Sequence, residues 1–137
     1  MEVNLVAVLV AAIAMFAVGG FWYMVPFAKI WGEMHGFDKL SKKEQKEAQA
    51  QMGPYYGAQI IVTLISAWAL AYFLTLLPDM QWYALAFWLW LGFIVPTTVS
   101  AVIFGGTEGK WIIKKTTIMV AGSLVCTLVG AWVISLF

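Results

Sequence analysis

The sequence predicts an all-α integral membrane protein: one four-helix bundle, with a short amphipathic or polar cytoplasmic helix between its first and second spans. Three observations carry this. The 137 residues are 63% hydrophobic and 11% charged, whereas a soluble domain is about a quarter charged, so the chain needs a solvent other than water. Uncharged runs cover residues 3–28, 48–78, 80–107 and 116–137, and each reaches the about 20 residues that a helix needs to cross the hydrocarbon core. The runs are apolar on all faces over several turns, without the period-two alternation of a transmembrane barrel. Spans are therefore expected at about 3–25, 55–77, 81–104 and 112–135, in a single membrane domain over 1–137 with a cytoplasmic segment at about 26–54.

The first run is expected to be a retained span. A secretory signal places lysine or arginine before its apolar core, and only Glu2 precedes residue 3. Ala7, Ala11 and Ala14 share one face of this helix, with Gly19 and Gly20 further along. Small side chains let backbones approach where apolar burial alone does not drive helices together. At the end of the span stand Trp22, Tyr23, Pro26, Lys29 and Trp31. Proline bends or stops a helix, and amphipathic rings with lysines settle at headgroup level, so Trp22, Tyr23, Lys29 and Trp31 read as interface anchors, with a ligand cage as the alternative.

Ser41 and Glu44 have capping-box spacing, which predicts a polar surface helix from about Lys42 to Gln51, ended by Gly53-Pro54. Spans two and three are joined by a turn so short that they must form an antiparallel hairpin, with Pro78 closing one helix and Asp79 capping the next. Gln59, Thr63 and Ser66 share a face by their i, i+4, i+7 spacing. Counting outward from the turn sets them near Thr97 and Ser100. Pro96 removes a backbone hydrogen bond and crowds the carbonyl of Gly92, so span three is expected to kink there. The five polar residues form an intramembrane patch, either glue worth about 0.6–2 kcal/mol per contact or the lining of a cavity or path. In span four, Gly122, Cys126 and Gly130 recur every four residues beside Ser123, Thr127 and Ala131, a second packing face. Trp111, Lys114 and Lys115 anchor its start at the headgroups.

The chemistry of most function classes is missing. The net charge of +1 does not suit nucleic acid. No charged residue lies within the four cores, as proton-coupled carriers and ion relays require, and residues 3–28 lack the acid of a small four-span multidrug exporter. Glu33, His35 and Asp38 lie within six residues but read as a solvated loop, so no metal or other cofactor is expected. "FGGTEGKW" at 104–111 departs from a phosphate-binding loop, with Phe104 in place of the first glycine and Trp111 after Lys110. Cys126 sits in apolar surroundings where a thiol is inert. No nucleophile, base and acid come together, and no enzyme is expected.

Asn4 before the alanine-rich first helix, "GGFWYMVPFAKIW" at its end, "MGPYYGAQ" opening the second and "FWLWLGF" in the third together resemble the small bacterial membrane proteins grouped as domain of unknown function 1761. Val25-Pro26 departs from the Ser-Pro or similar polar pair of that family. The resemblance covers essentially the whole chain; it implies four spans and a bacterial inner membrane, and implies no activity. Two functions fit: a homo-oligomeric binding or permeation unit for an uncharged or lipid-like solute, or a non-catalytic accessory subunit packing with itself or a larger complex. The partners expected are the bilayer, further copies of the chain, and a lipid ligand or membrane partner.

All eight positive charges fall between spans one and two or around the start of span four, so the positive-inside rule puts both termini outside. With Ser41→Cys, a membrane-impermeant thiol reagent is expected to react only once cells are opened, and with Asp79→Cys in intact cells. The reverse pattern would overturn the orientation.

Overall fold

The structure, a computed structural model, describes residues 2–137. Four helices are long and apolar enough to cross a membrane: Leu5–Met24, Gly53–Leu76, Trp82–Phe104 and Gly109–Ser135. In chain order the α-helices are α1 (Leu5–Met24), α2 (Ala28–Met34), α3 (Lys42–Ala50), α4 (Gly53–Leu76), α5 (Trp82–Leu89), α6 (Val95–Phe104) and α7 (Ile112–Ser135), with no strand among the described residues. The up-and-down order brings every lysine to one end of the bundle and the Pro78-Asp79 turn and C-terminus to the other.

Side-chain caps set the starts of α1 and α3. The Asn4 side chain accepts from the backbone N–H groups of Val6 and Ala7, at 3.0 and 3.2 Å, and so caps α1. The Ser41-Glu44 capping box forms in full: the Glu44 N–H donates to Ser41 Oγ at 3.2 Å, and the Ser41 N–H donates to Glu44 Oε2 at 2.8 Å. The Ser41 backbone N–H, and secondarily its hydroxyl, hold the Glu44 carboxyl below its ordinary value. This stabilisation of α3 is present above the usual carboxylate range and is lost as pH falls through the lowered value. The segment before it is more structured than expected, with α2 and a 3₁₀ turn at Phe37–Lys39.

The third span is a continuous helix with a π bulge just ahead of its proline. Trp90–Ile94 is a π-helical turn, in which the Val95 N–H reaches back five residues to the Trp90 carbonyl. The chain then continues without a break into α geometry with Pro96 as the second residue of α6, so the widened π turn accommodates the proline ring and its missing N–H. After α6, Gly106 takes φ +77°, and a Cβ on Gly105 would collide with the Ala101 carbonyl oxygen, so both glycines are needed for the turn into α7.

α7 is the hub, packing against α1, α4, α5 and α6. Both small-residue faces are covered here within one chain, though not by each other. Ala7 and Ala11 are buried on α1, with Ala14 at the edge of the same core, and Gly122 and Gly130 are buried on α7. Cys126 packs on Gly19, its Sγ 3.7 Å from the Met15 carbonyl oxygen. Gly130 faces Met15 and Leu70. Gly122 lies under the Trp22 indole, whose Nε1 donates to the Ile118 carbonyl at 2.9 Å. From the other side Trp90 Nε1 donates to the Val120 carbonyl at 2.9 Å. At the lysine-free end α4 is held by Ala67 and Ala71, in one core with Ala11, Ala12 and Met15, and by Leu70, in another with Ala86 and Ala131. At the lysine-bearing end its residues 53–62 are all exposed.

A Cβ on Gly122 would stand 2.7 Å from Trp22 Cδ1 and Nε1, while one on Gly20 meets nothing within 4 Å. Gly122→Ala is therefore expected to destabilise the protein by about 1–3 kcal/mol, the usual effect of overpacking, and Gly20→Ala to be close to neutral. Thermal unfolding in detergent checks the pair. Equal midpoints for the two variants would contradict the close approach of α1 and α7.

Candidate functional site

Where α4 stands off the bundle, a chamber of about 760 Å³ opens. Its walls are the lysine-side halves of α1 and α7, the first half of α4, the start of α6, and Trp31 from α2. Along α4 it runs from the N-cap Met52 to Ser66, a length of about 21 Å at 1.5 Å per residue, against a hydrocarbon core of about 30 Å. Beyond Ser66 the alanine-rich core of α1, α4 and α7 closes the bundle. The chamber is thus one-sided. α4 and α6 hardly touch, so the wall between them is incomplete.

No charged side chain lines the chamber. Gln59, Thr63 and Ser66 do line it, as one face of α4. The Thr63 hydroxyl donates to the Gln59 carbonyl at 2.7 Å, and Gln59 Nε2 donates to Thr63 Oγ1 at 3.3 Å. These bonds lie within a single helix and leave Gln59 Oε1 without a partner among the described residues. Thr97 and Ser100 are not brought to them: both are exposed away from the chamber, and the Thr97 hydroxyl donates to the Phe93 carbonyl at 2.6 Å. Thr98 faces the chamber instead, opposite Ser123 and Thr127 of α7. Ser123 receives a bond from Trp90 at 3.1 Å, and Thr127 donates to the Ser123 carbonyl at 2.7 Å. Hydroxyls satisfied on their own backbone add polarity without demanding a partner.

The residues read as interface anchors divide in two. Trp111 lies beside the ammonium groups of Lys110 and Lys114, 5.5 and 5.6 Å from its ring centre, and Lys29 is exposed. Trp22, Tyr23 and Trp31 are in the chamber wall. The Tyr23 and Trp31 rings stand 4.6 Å apart, and the His35 ring packs 4.7 Å beyond Trp31. Lys115 Nζ is 5.8 Å from the Trp31 ring centre. Glu33, His35 and Asp38 do not converge, and no cluster able to hold a metal forms among the described residues. Sequence reasoning passed over Tyr55 and Tyr56 in the lining. Their signal was present, because they lie four and three residues before Gln59 and so on its side of α4. A smaller hollow of about 440 Å³ lies at the lysine-free end, between helix ends that include Asn4, Thr75, Gln81 and Ser135.

Four apolar helices around a one-sided, uncharged interior define a small multi-pass membrane protein. Residues 6–135 match the family described as protein of unknown function (DUF1761), and the chain belongs to that family. No curated protein and no solved structure matches it.

Proposed function

We propose that this protein is a binding unit that takes an uncharged or lipid-like molecule into its chamber from the surrounding leaflet, without converting it chemically. One observation carries the reading. At membrane depth the fold leaves a volume of about 760 Å³ lined by aromatic, aliphatic and uncharged polar groups, within the about 300–1,000 Å³ of sites that enclose a drug-sized ligand. Closure beyond Ser66 favours binding over permeation. In the bacterial inner membrane, with both termini outside, the chamber would open to the cytoplasmic leaflet. The two small-residue faces from which a homo-oligomer was expected are both covered within one chain, Gly122, Cys126 and Gly130 by Trp22, Gly19 and Met15, and Ala11 by α4 and Val133, so they are not free to pair copies.

Gly20 lines the chamber and has open space around its Cβ position, so Gly20→Phe is the substitution chosen to fill the volume. Mass spectrometry of protein purified from membranes in mild detergent is expected to find a retained small molecule in the wild type and a several-fold loss in Gly20→Phe. Equal retention would contradict a ligand in the chamber, and a protein retained in place of a small molecule would favour the accessory-subunit reading. Because the Gln59 amide bonds only within α4, Gln59→Leu is expected to leave the unfolding temperature unchanged. A marked fall would show the amide to be interhelical glue.

A further inference from the structure

The chamber's rim carries a cation without a counter-ion. Lys115, in the first turn of α7, is partly buried, and its Nζ lies near the ring of Trp31, which lines the chamber, and 3.4 Å from His35 Nε2. His35 Nδ1 is 2.8 Å from the Trp31 carbonyl oxygen. A carbonyl only accepts, so Nδ1 carries the hydrogen and Nε2 turns its lone pair toward the ammonium. The neighbours of Lys115 at the rim are thus an aromatic face and an imidazole nitrogen, and neither is an anion. The one ion pair among the described residues is Lys110 with Glu108 at 3.5 Å, and no carboxylate among them lies within ion-pair distance of Lys115.

We propose that the ligand is an anionic amphiphile with one acyl chain, its carboxylate or phosphate oxygens held by Lys115 at the rim and its chain lying in the chamber past Trp31. This rests on the chamber being a binding site. The ammonium has three hydrogens, and His35 engages one of them. The other two are available to anionic oxygens, where charge-assisted bonds are short and strong. Immediately inward the lining holds no charge, so an anion has nowhere deeper to go while an alkyl chain meets Met15, Phe16 and Met119. The rim and the chamber thus ask for opposite ends of one molecule. The cavity of about 760 Å³ lies in the range of sites that enclose one small ligand, which a single-chain amphiphile fits.

The test is equilibrium binding of radiolabelled hexadecyl phosphate to the full-length protein in phosphatidylcholine nanodiscs. Hexadecanoate is expected to compete, hexadecanol to compete at least about tenfold more weakly because it lacks the charge-assisted bond, and inorganic phosphate not to compete. Lys115→Gln is expected to erase the preference for the anion, while Lys39→Gln, exposed at the same end, keeps it. Equal competition by hexadecanol, or a preference that survives Lys115→Gln, would overturn the inference and leave the chamber reading standing. Competition by inorganic phosphate would show that the rim binds anions without a chain, which also overturns it. Failure of hexadecyl phosphate to bind the wild type would overturn it too. The chamber stands or falls separately, on the molecule retained by wild type and not by Gly20→Phe.

Discussion

The whole bundle is arranged around the close approach of α1 and α7. Lipid is as apolar as leucine, so these helices associate through packing and hydrogen bonds and not through escape from water. Alanines and glycines let the backbones meet, and the bare backbone at Gly122 lets the Trp22 indole reach the Ile118 carbonyl. In hydrocarbon an indole N–H without an acceptor is costly, so the bond fixes both the distance and the rotation of the pair. Trp90 repeats the device on the opposite side of α7. Two tryptophans on different helices thereby address two carbonyls of the hub.

The chamber is a consequence of this arrangement. With α1, α5 and α6 all referred to α7, α4 is attached mainly through Ala67, Leu70 and Ala71 at the lysine-free end. Its other half carries Tyr55, Tyr56 and Gln59, whose side chains pack into neither core. The helix stands off, and the space separating it from α6 and α7 is lined by groups that suit lipid and tolerate a few hydrogen bonds. Polarity inside is mostly self-satisfied, as in the Gln59-Thr63 pair and the Ser123-Thr127 row, so the site makes no demand for a charged or strongly polar occupant. Charge appears only at the rim, where Lys115 rests against Trp31 and His35.

Most features set by a few neighbouring residues were legible in the sequence, although the cap expected of Asp79 does not form and α5 starts from Gln81 with no side-chain cap. The four spans follow from length and composition, and the Ser41-Glu44 box is a local pattern that formed as written. Features that depend on register between helices were not. Placing Thr97 and Ser100 beside Gln59 assumed that α4 and α6 pack along their whole length and that span three is a regular helix. The π turn at Trp90–Ile94 inserts one residue, which rotates α6 by about 100° relative to α5, so Thr98 turns inward where Thr97 was expected. Trp22 was ambiguous for another reason. A tryptophan near a helix end suits the bilayer border and a helix-helix bond equally well, and only Gly122, a hundred residues away in sequence, decides between them.

If Trp22 over Gly122 locks α7 to α1 and leaves the lysine-side half of α4 apart around an uncharged chamber, a density map of the full-length protein in lipid nanodiscs will show both features at once. The expected map has the Trp22 ring lying on the Gly122 backbone, and elongated non-protein density between α4 and α7 ending near Lys115. A map with α4 closed along its full length onto α6 and α7, and Trp22 turned out to the headgroups, would contradict this arrangement.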